Sequence, residues 1–153
     1  DRIESRGLGD VYKRQLRGLP TLNIRMKQIE FNALELARQL NKHPLVDKVY
    51  HPAIETSENH YIWKRDFTGS TGLFSFSLKK FYSQSKIKKM FSKISIFKLG
   101  YSWGGYDSLI TFPPLSKRKF KTLLKGNLIR VYCGLEDSSD QIKDIINSLK
   151  TLK

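Results

Sequence analysis

Apolar residues recur along this 153-residue chain in two rhythms. From Pro20 onward, Leu22, Met26, Ile29, Ala33, Leu36, Ala37 and Leu40 come at spacings of three and four, the stripe of a helix buried along one side. Proline suits the first turn of that helix, and Pro44 ends it near Asn41–His43. The period then changes. Val46–Tyr50 reads as a short strand, and "LFSFSL", Leu73–Leu78, alternates apolar residues with serine as a half-buried strand does. Between them, "HPAIETSENHYIWKRDF" is a loop with one helical turn around His60–Lys64. Residues 84–93 return to the helical period through Ile87, Met90, Phe91 and Ile94, and Ser95–Leu99 reads as a strand. Ser108–Phe112 is a further strand, stopped by Pro113-Pro114. "LIRVYCG", Leu128–Gly134, is a strong strand. "SSDQ", Ser138–Gln141, has the form of a capping box opening a last helix, with Ile142, Ile145, Ile146 and Leu149 on its buried side.

Strands outnumber helices and cluster without strict alternation. That predicts an α+β layer, with helices on one face of a largely antiparallel sheet. The first fifteen residues, "DRIESRGLGDVYKRQ", show no sustained period. They read as a non-native or disordered leader resembling translated adaptor sequence, so structure is expected to start near Leu16.

Composition sharpens this picture in three places. Lys and Arg total 28 against 14 Asp and Glu, a formal net charge of +14. Such an excess can serve nucleic acid or an anionic membrane surface, yet the lysines spread over Lys79–Lys98 and Lys117–Lys125 as solvated helix faces, and no nucleic-acid-binding pattern accompanies them. The single cysteine, Cys133, fits a reducing compartment, and the cytoplasm is expected. His43, His51 and His60 have no zinc-ligand spacing, so no metal is expected. No apolar run has the length of a membrane span, and no segment has the form of a secretory signal.

Two stretches carry candidate chemistry. In "LIRVYCG" the strand period places Leu128, Arg130 and Tyr132 on one face. A guanidinium in the middle of an apolar strand is costly without a partner, and its planar fork suits a carboxylate; a solvent-facing or internally paired arginine is the plainer alternative. In "YSWGGYDSL", Tyr101–Leu109, the Ser102 hydroxyl, the Trp103 ring and two glycines stand together. Gly104 and Gly105 allow a positive φ or a close backbone approach, so the loop can bind an anion or can be a tight turn with Trp103 filling the core. Cys133 reads as a small core residue. No Ser/His/Asp set, paired acid and base, or phosphate loop is present.

These residues belong to a larger resemblance. "RGLPTLNIRMKQ" (Arg17–Gln28), "HPLVDKVYHPA" (His43–Ala53), "WKRDFTGSTGLFSFSLKK" (Trp63–Lys80), "YSWGGYDSLI" (Tyr101–Ile110) and "IRVYCGLED" (Ile129–Asp137) together resemble the C-terminal part of the pyridoxal-phosphate (PLP)-dependent enzymes of cysteine and methionine metabolism. Within that family Ser-Trp-Gly-Gly-Tyr favours the cystathionine β-lyase branch, since the γ-synthase and γ-lyase branches more often carry Leu at Trp103; a γ-synthase- or γ-lyase-like member is the alternative. The resemblance implies the small C-terminal domain of a fold-type I PLP enzyme over residues 16–153. It implies pyridoxal 5'-phosphate as cofactor, an amino-acid substrate (cystathionine, or cysteine), α,β-elimination to homocysteine, pyruvate and ammonia, and a homotetrameric parent. It also implies that Arg130 clamps the substrate's α-carboxylate, with Ser102 and Trp103 beside it. The family's Schiff-base lysine, in a Ser-x-Thr-Lys context, does not occur in this sequence. The cofactor domain is therefore expected upstream, and the chain alone is expected to be inactive.

Overall fold

The computed structural model describes residues 2–113 and 124–152; for residues 2–8 and 10 it describes the backbone alone. The first departure from expectation is at the start. Arg2–Gly18 is a helix, α1, where the sequence predicted no regular structure before Leu16. A helix closes its own backbone hydrogen bonds, and Leu8, Val11, Tyr12 and Leu16 recur here at spacings of three and four. Among its described side chains, the apolar Val11, Tyr12 and Leu16 are exposed. A 3-10 turn, Leu19–Thr21, carries Pro20 and leads into α2, Leu22–Asn41. Arg25 fixes that corner by donating to the Gly18 carbonyl at 2.6 Å and the Thr21 hydroxyl at 3.1 Å.

The remaining elements are β1 (Val46–Tyr50), α3 (His60–Asp66), β2 (Leu73–Leu78), α4 (Gln84–Phe91), β3 (Lys98–Leu99), β4 (Leu109–Thr111), β5 (Leu128–Tyr132) and α5 (Ser138–Leu149). The strands form one sheet in the order β1-β2-β5-β4-β3. Every pairing is antiparallel except β3 with β4. The expected α+β layer, largely antiparallel, is the one observed.

Register decides what each face carries. Val49, Phe76 and Ile129 lie in one row, and Phe74, Val131 and Ile110 in the next. All six are buried, and they pack with Ala33, Leu36, Ala37 and Leu40 of α2, Ile87 and Met90 of α4, and Ile145 and Leu149 of α5. Burial of these side chains is the main stabilising term, on the order of 2 kcal/mol for each large one. Leu22, in the first turn of α2, is exposed rather than part of the buried stripe. The opposite face carries the row Tyr50, Ser75, Arg130 and Thr111 across β1, β2, β5 and β4.

Two local expectations are corrected. Only Lys98–Leu99 of the Ser95–Leu99 segment is strand. The amides of Ser95, Ile96 and Phe97 donate instead to the Asp144 carboxylate on α5, at 2.8, 2.8 and 3.2 Å. The cap of α5 is Asp137 rather than Ser138; its carboxylate accepts from the Ser139 and Asp140 amides. An ionised carboxylate is the stronger acceptor there. Gln141, freed from capping, donates to the Glu136 carbonyl at 3.1 Å. Most of the Lys117–Lys125 stretch, and Pro114, lie outside the described residues.

Candidate functional site

β5 is the middle strand of the sheet, and Arg130 is the middle of β5. Its neighbours on the open face are Ser75 and Thr111, so the strand period holds the guanidinium among small polar side chains. The side chain is half-buried, and one terminal nitrogen donates to the Tyr101 carbonyl at 2.8 Å. Among the described residues Arg130 enters no ion pair, which leaves most of its five donors for an external anion. The internally paired alternative therefore holds for one nitrogen only.

Tyr101 opens the loop that carries Ser102 and Trp103. Residues 101–106 are all exposed, and Trp103 is 66% exposed, so its ring is not core filler. The ring still lines one wall of a groove of about 300 Å³, with Met26, Ile29, Leu73, Gly104 and Tyr132 around it. Gly104 turns the chain with φ +87°, a region that other residues enter at a cost. Ser102 makes no hydrogen bond among the described residues and is open to solvent. The three residues singled out in the sequence are thus joined in one strand-and-loop unit, with Arg130 beneath the loop and Ser102 and Trp103 upon it.

The base of the loop is rigid for reasons the sequence did not reveal. Glu136 accepts from the Ser108 amide at 2.8 Å and its hydroxyl at 2.7 Å. The Ser108 hydroxyl in turn accepts from the Gly134 amide at 2.8 Å. Asn32 on α2 donates to the carbonyls of Gly134 and Glu136, both at 2.9 Å. Leu135 donates to the Tyr106 carbonyl at 2.8 Å. A Cβ on Gly134 would lie 2.1 Å from that same oxygen, so only glycine permits this approach. Tyr132, two residues beyond Arg130 on the same face, donates its hydroxyl to the Gly105 carbonyl at 2.8 Å. Burial pushes the Tyr132 hydroxyl above its ordinary range, so it stays protonated and donating at neutral pH. The visible signal for Tyr132 was its period-two spacing from Arg130; Ser108 and Glu136 had none.

The other candidates fall away from chemistry. Cys133 is fully buried, and burial together with the nearby Glu136 pushes its thiol up, away from a nucleophile's range. His51 is buried beside Phe74, with Nδ1 accepting from the Ala53 amide at 3.2 Å. Burial holds its imidazole below the ordinary value, hence neutral. No group of metal-ligating side chains exists among the described residues, and none of their helices is long and apolar enough to cross a membrane. For a PLP cofactor the fit is incomplete. The groove beside Trp103 is lined mainly by apolar side chains and rings, and neither a lysine nor Arg130 lines it.

The family model "Cys/Met metabolism PLP-dependent enzyme" matches residues 10–150, and its match begins inside the leader set aside from the sequence. Cystathionine β-lyase MetC of Escherichia coli is 43% identical over 138 residues, covering 84% of this chain and 34% of the relative. An L-alanine/L-glutamate racemase of Wolbachia pipientis is 40% identical over 141 residues, covering 89% of this chain and 34% of the relative. A solved structure described as an O-acetylhomoserine (thiol)-lyase of Campylobacter jejuni, holding a pyridoxyl-lysine phosphate, superposes with a TM-score of 0.74 at 30% identity. It covers 88% of this chain, which matches 31% of that one. The chain therefore spans about a third of the length of the relatives it matches. With 141 of its 153 residues inside the family model and β-lyases near 40% identity along most of its length, this chain belongs to the PLP-dependent enzymes of cysteine and methionine metabolism.

Proposed function

We propose that this chain is the substrate-carboxylate domain of a PLP-dependent carbon–sulfur lyase of the cystathionine β-lyase type. The observation that carries the reading is Arg130: a guanidinium on the central strand, in no ion pair among the described residues, beneath an exposed loop of hydroxyl, ring and bare backbone. A planar fork with spare donors binds a carboxylate through two parallel hydrogen bonds. Ser102 and the Trp103 backbone would add donors at the rim, and the Trp103 ring would wall the pocket. When bound, PLP supplies an electron sink that eases removal of the substrate's Cα proton and departure of sulfur. This chain's part is to bind and orient the acid group, which places Cα and sulfur for that chemistry.

The substrate is read as cystathionine or cysteine and the products as homocysteine or sulfide with pyruvate and ammonia. By itself the chain is read as inactive, since its sequence has no Ser-x-Thr-Lys. The relatives support the β-lyase branch over the γ branch. Identity is 43% to the Escherichia coli β-lyase against 35% to a γ-lyase of Sus scrofa. A relative named as a racemase stands at 40% identity, so similarity at this level spans more than one reaction. A tetrameric, cytoplasmic parent belongs to the same proposal.

Arg130→Ala in the full-length enzyme tests it. Binding of carboxylate-bearing amino acids should weaken by about 2–5 kcal/mol, the range for removing one partner of a buried, hydrogen-bonded charge pair. An unchanged kcat/KM would remove Arg130 from the site. The second reading, a basic nucleic-acid module, rests on the exposed lysines at 79, 80, 86, 88, 89, 93 and 98. It requires RNA or DNA binding that falls steeply with salt.

A further inference from the structure

Arg130 and Tyr132 reach the same loop at its two ends. Arg130 donates to the Tyr101 carbonyl and Tyr132 to the Gly105 carbonyl, each at 2.8 Å. Ser102, Trp103 and Gly104 are the residues between those staples. The two holders differ in what else they are asked to do. On the carboxylate-site reading, on which this inference rests, Arg130 must turn its donors toward a ligand, and its grip on Tyr101 is then shared. Tyr132 has no second task. Its ring is buried at 3% exposure, wedged where a Cβ on Gly72 would come within 2.9 Å of it. That side of β5 is closed further by the Cys133 amide, which donates to the Gly72 carbonyl at 2.9 Å. The ring cannot swing, so the hydroxyl stands at a fixed height above the sheet. Gly104, with its positive φ, leaves the segment between the staples free to pivot unless something holds Gly105.

We infer that Tyr132 is a positioning residue for carboxylate recognition: its hydroxyl holds the Ser102–Gly104 segment in place while Arg130 engages the ligand. In this role it acts through the loop backbone, by its hydrogen bond to the Gly105 carbonyl.

The test is Tyr132→Phe in the full-length, PLP-loaded enzyme, with L-alanine and ethylamine as probes, the second being the first without its carboxylate. Phe keeps the buried ring and removes only the donor. The dissociation constant for L-alanine, measured by calorimetry, should rise roughly three- to tenfold, as for loss of one neutral hydrogen bond. That for ethylamine should not move. With cystathionine the loss should appear in KM more than in kcat, and amide hydrogen exchange should quicken in Tyr101–Asp107 and not elsewhere in the sheet. 4-Aminophenylalanine at 132 restores a donor and should restore alanine binding. Equal losses for both probes, no loss for either, or a variant that does not fold would each overturn the proposal, because the hydroxyl would then serve the fold or nothing. Arg130→Ala separates this outcome from failure of the site itself. If Arg130→Ala also leaves alanine binding intact, the carboxylate reading is wrong; if it abolishes binding while Tyr132→Phe has no effect, only the staple is wrong.

Discussion

Asp144 and Arg130 are charged residues built into the same small domain, and they are used in opposite ways. Asp144, on α5, is nearly buried and spends both oxygens inside the protein, on the amides of Ser95, Ile96 and Phe97 and the Ser95 hydroxyl. Arg130, on β5, gives one donor to the Tyr101 carbonyl and, among the described residues, makes no other hydrogen bond. The carboxylate ties the segment before β3 to α5; the guanidinium gives the loop after β3 a single hydrogen bond, at the Tyr101 carbonyl, among the described residues. A charge whose hydrogen-bonding capacity is filled by its own chain is part of the scaffold, and one left partly unfilled at a loop is a candidate for binding.

Three changes would break or sharpen that contrast. The largest effect is expected from Asp144→Ala, which leaves three amides without their acceptor. It should cost about 3 kcal/mol in chemical unfolding of the protein, through loss of charged hydrogen bonds and stranded donors. The same change should leave carboxylate affinity of the surviving folded enzyme near normal. A matching loss of affinity would show that scaffold and site are not separable.

Gly134→Ala comes next, because it acts at the seam between the two regions. The added Cβ has 2.1 Å to the Tyr106 carbonyl and cannot fit without moving the loop. A cost of about 2 kcal/mol is expected from overpacking, together with weaker alanine binding. Retained stability and retained binding would mean the loop has slack that the structure does not show.

The smallest effect belongs to His51, which lies in the scaffold alone. Its folded-state value is held below the ordinary 6.5, first by burial. Between those two values the unfolded chain binds the proton and the folded one does not. Stability from His51 is therefore full above about pH 6.5 and declines as pH falls from there to the lowered folded value, with no further loss below it. The melting temperature should show that slope in wild type and a flatter one in His51→Gln. Substrate binding by the Arg130 loop should show no matching change in that window.

Much of the scaffold was legible because it is periodic. The spacings of Ile29, Ala33, Leu36 and Leu40, and the alternation in "LFSFSL", each report a face that must be buried, and burial is a property the residues carry with them. Arg130 was visible for the converse reason, as a charge interrupting an apolar strand. Asp137 displaced Ser138 as the cap, and Asp144 displaced a strand at Ser95–Phe97. In both cases a carboxylate outcompeted a weaker local hydrogen bond, and for Asp144 it did so across nearly fifty residues of chain. The helix at Arg2–Gly18 went unpredicted because its apolar recurrence, Leu8, Val11, Tyr12 and Leu16, is short and set among charged residues.

By itself the sequence determined which residues seek the core, which strand carries the lone guanidinium, and which family the chain resembles, because apolar periodicity and side-chain chemistry are local. The tertiary structure alone decided that Tyr132 faces Gly105, that Glu136 holds Ser108, and that Arg130 meets the Tyr101 carbonyl. Those facts depend on where distant backbone carbonyls and amides come to rest, and every residue offers the same carbonyl and all but proline the same amide, so only the fold can say which of them meet.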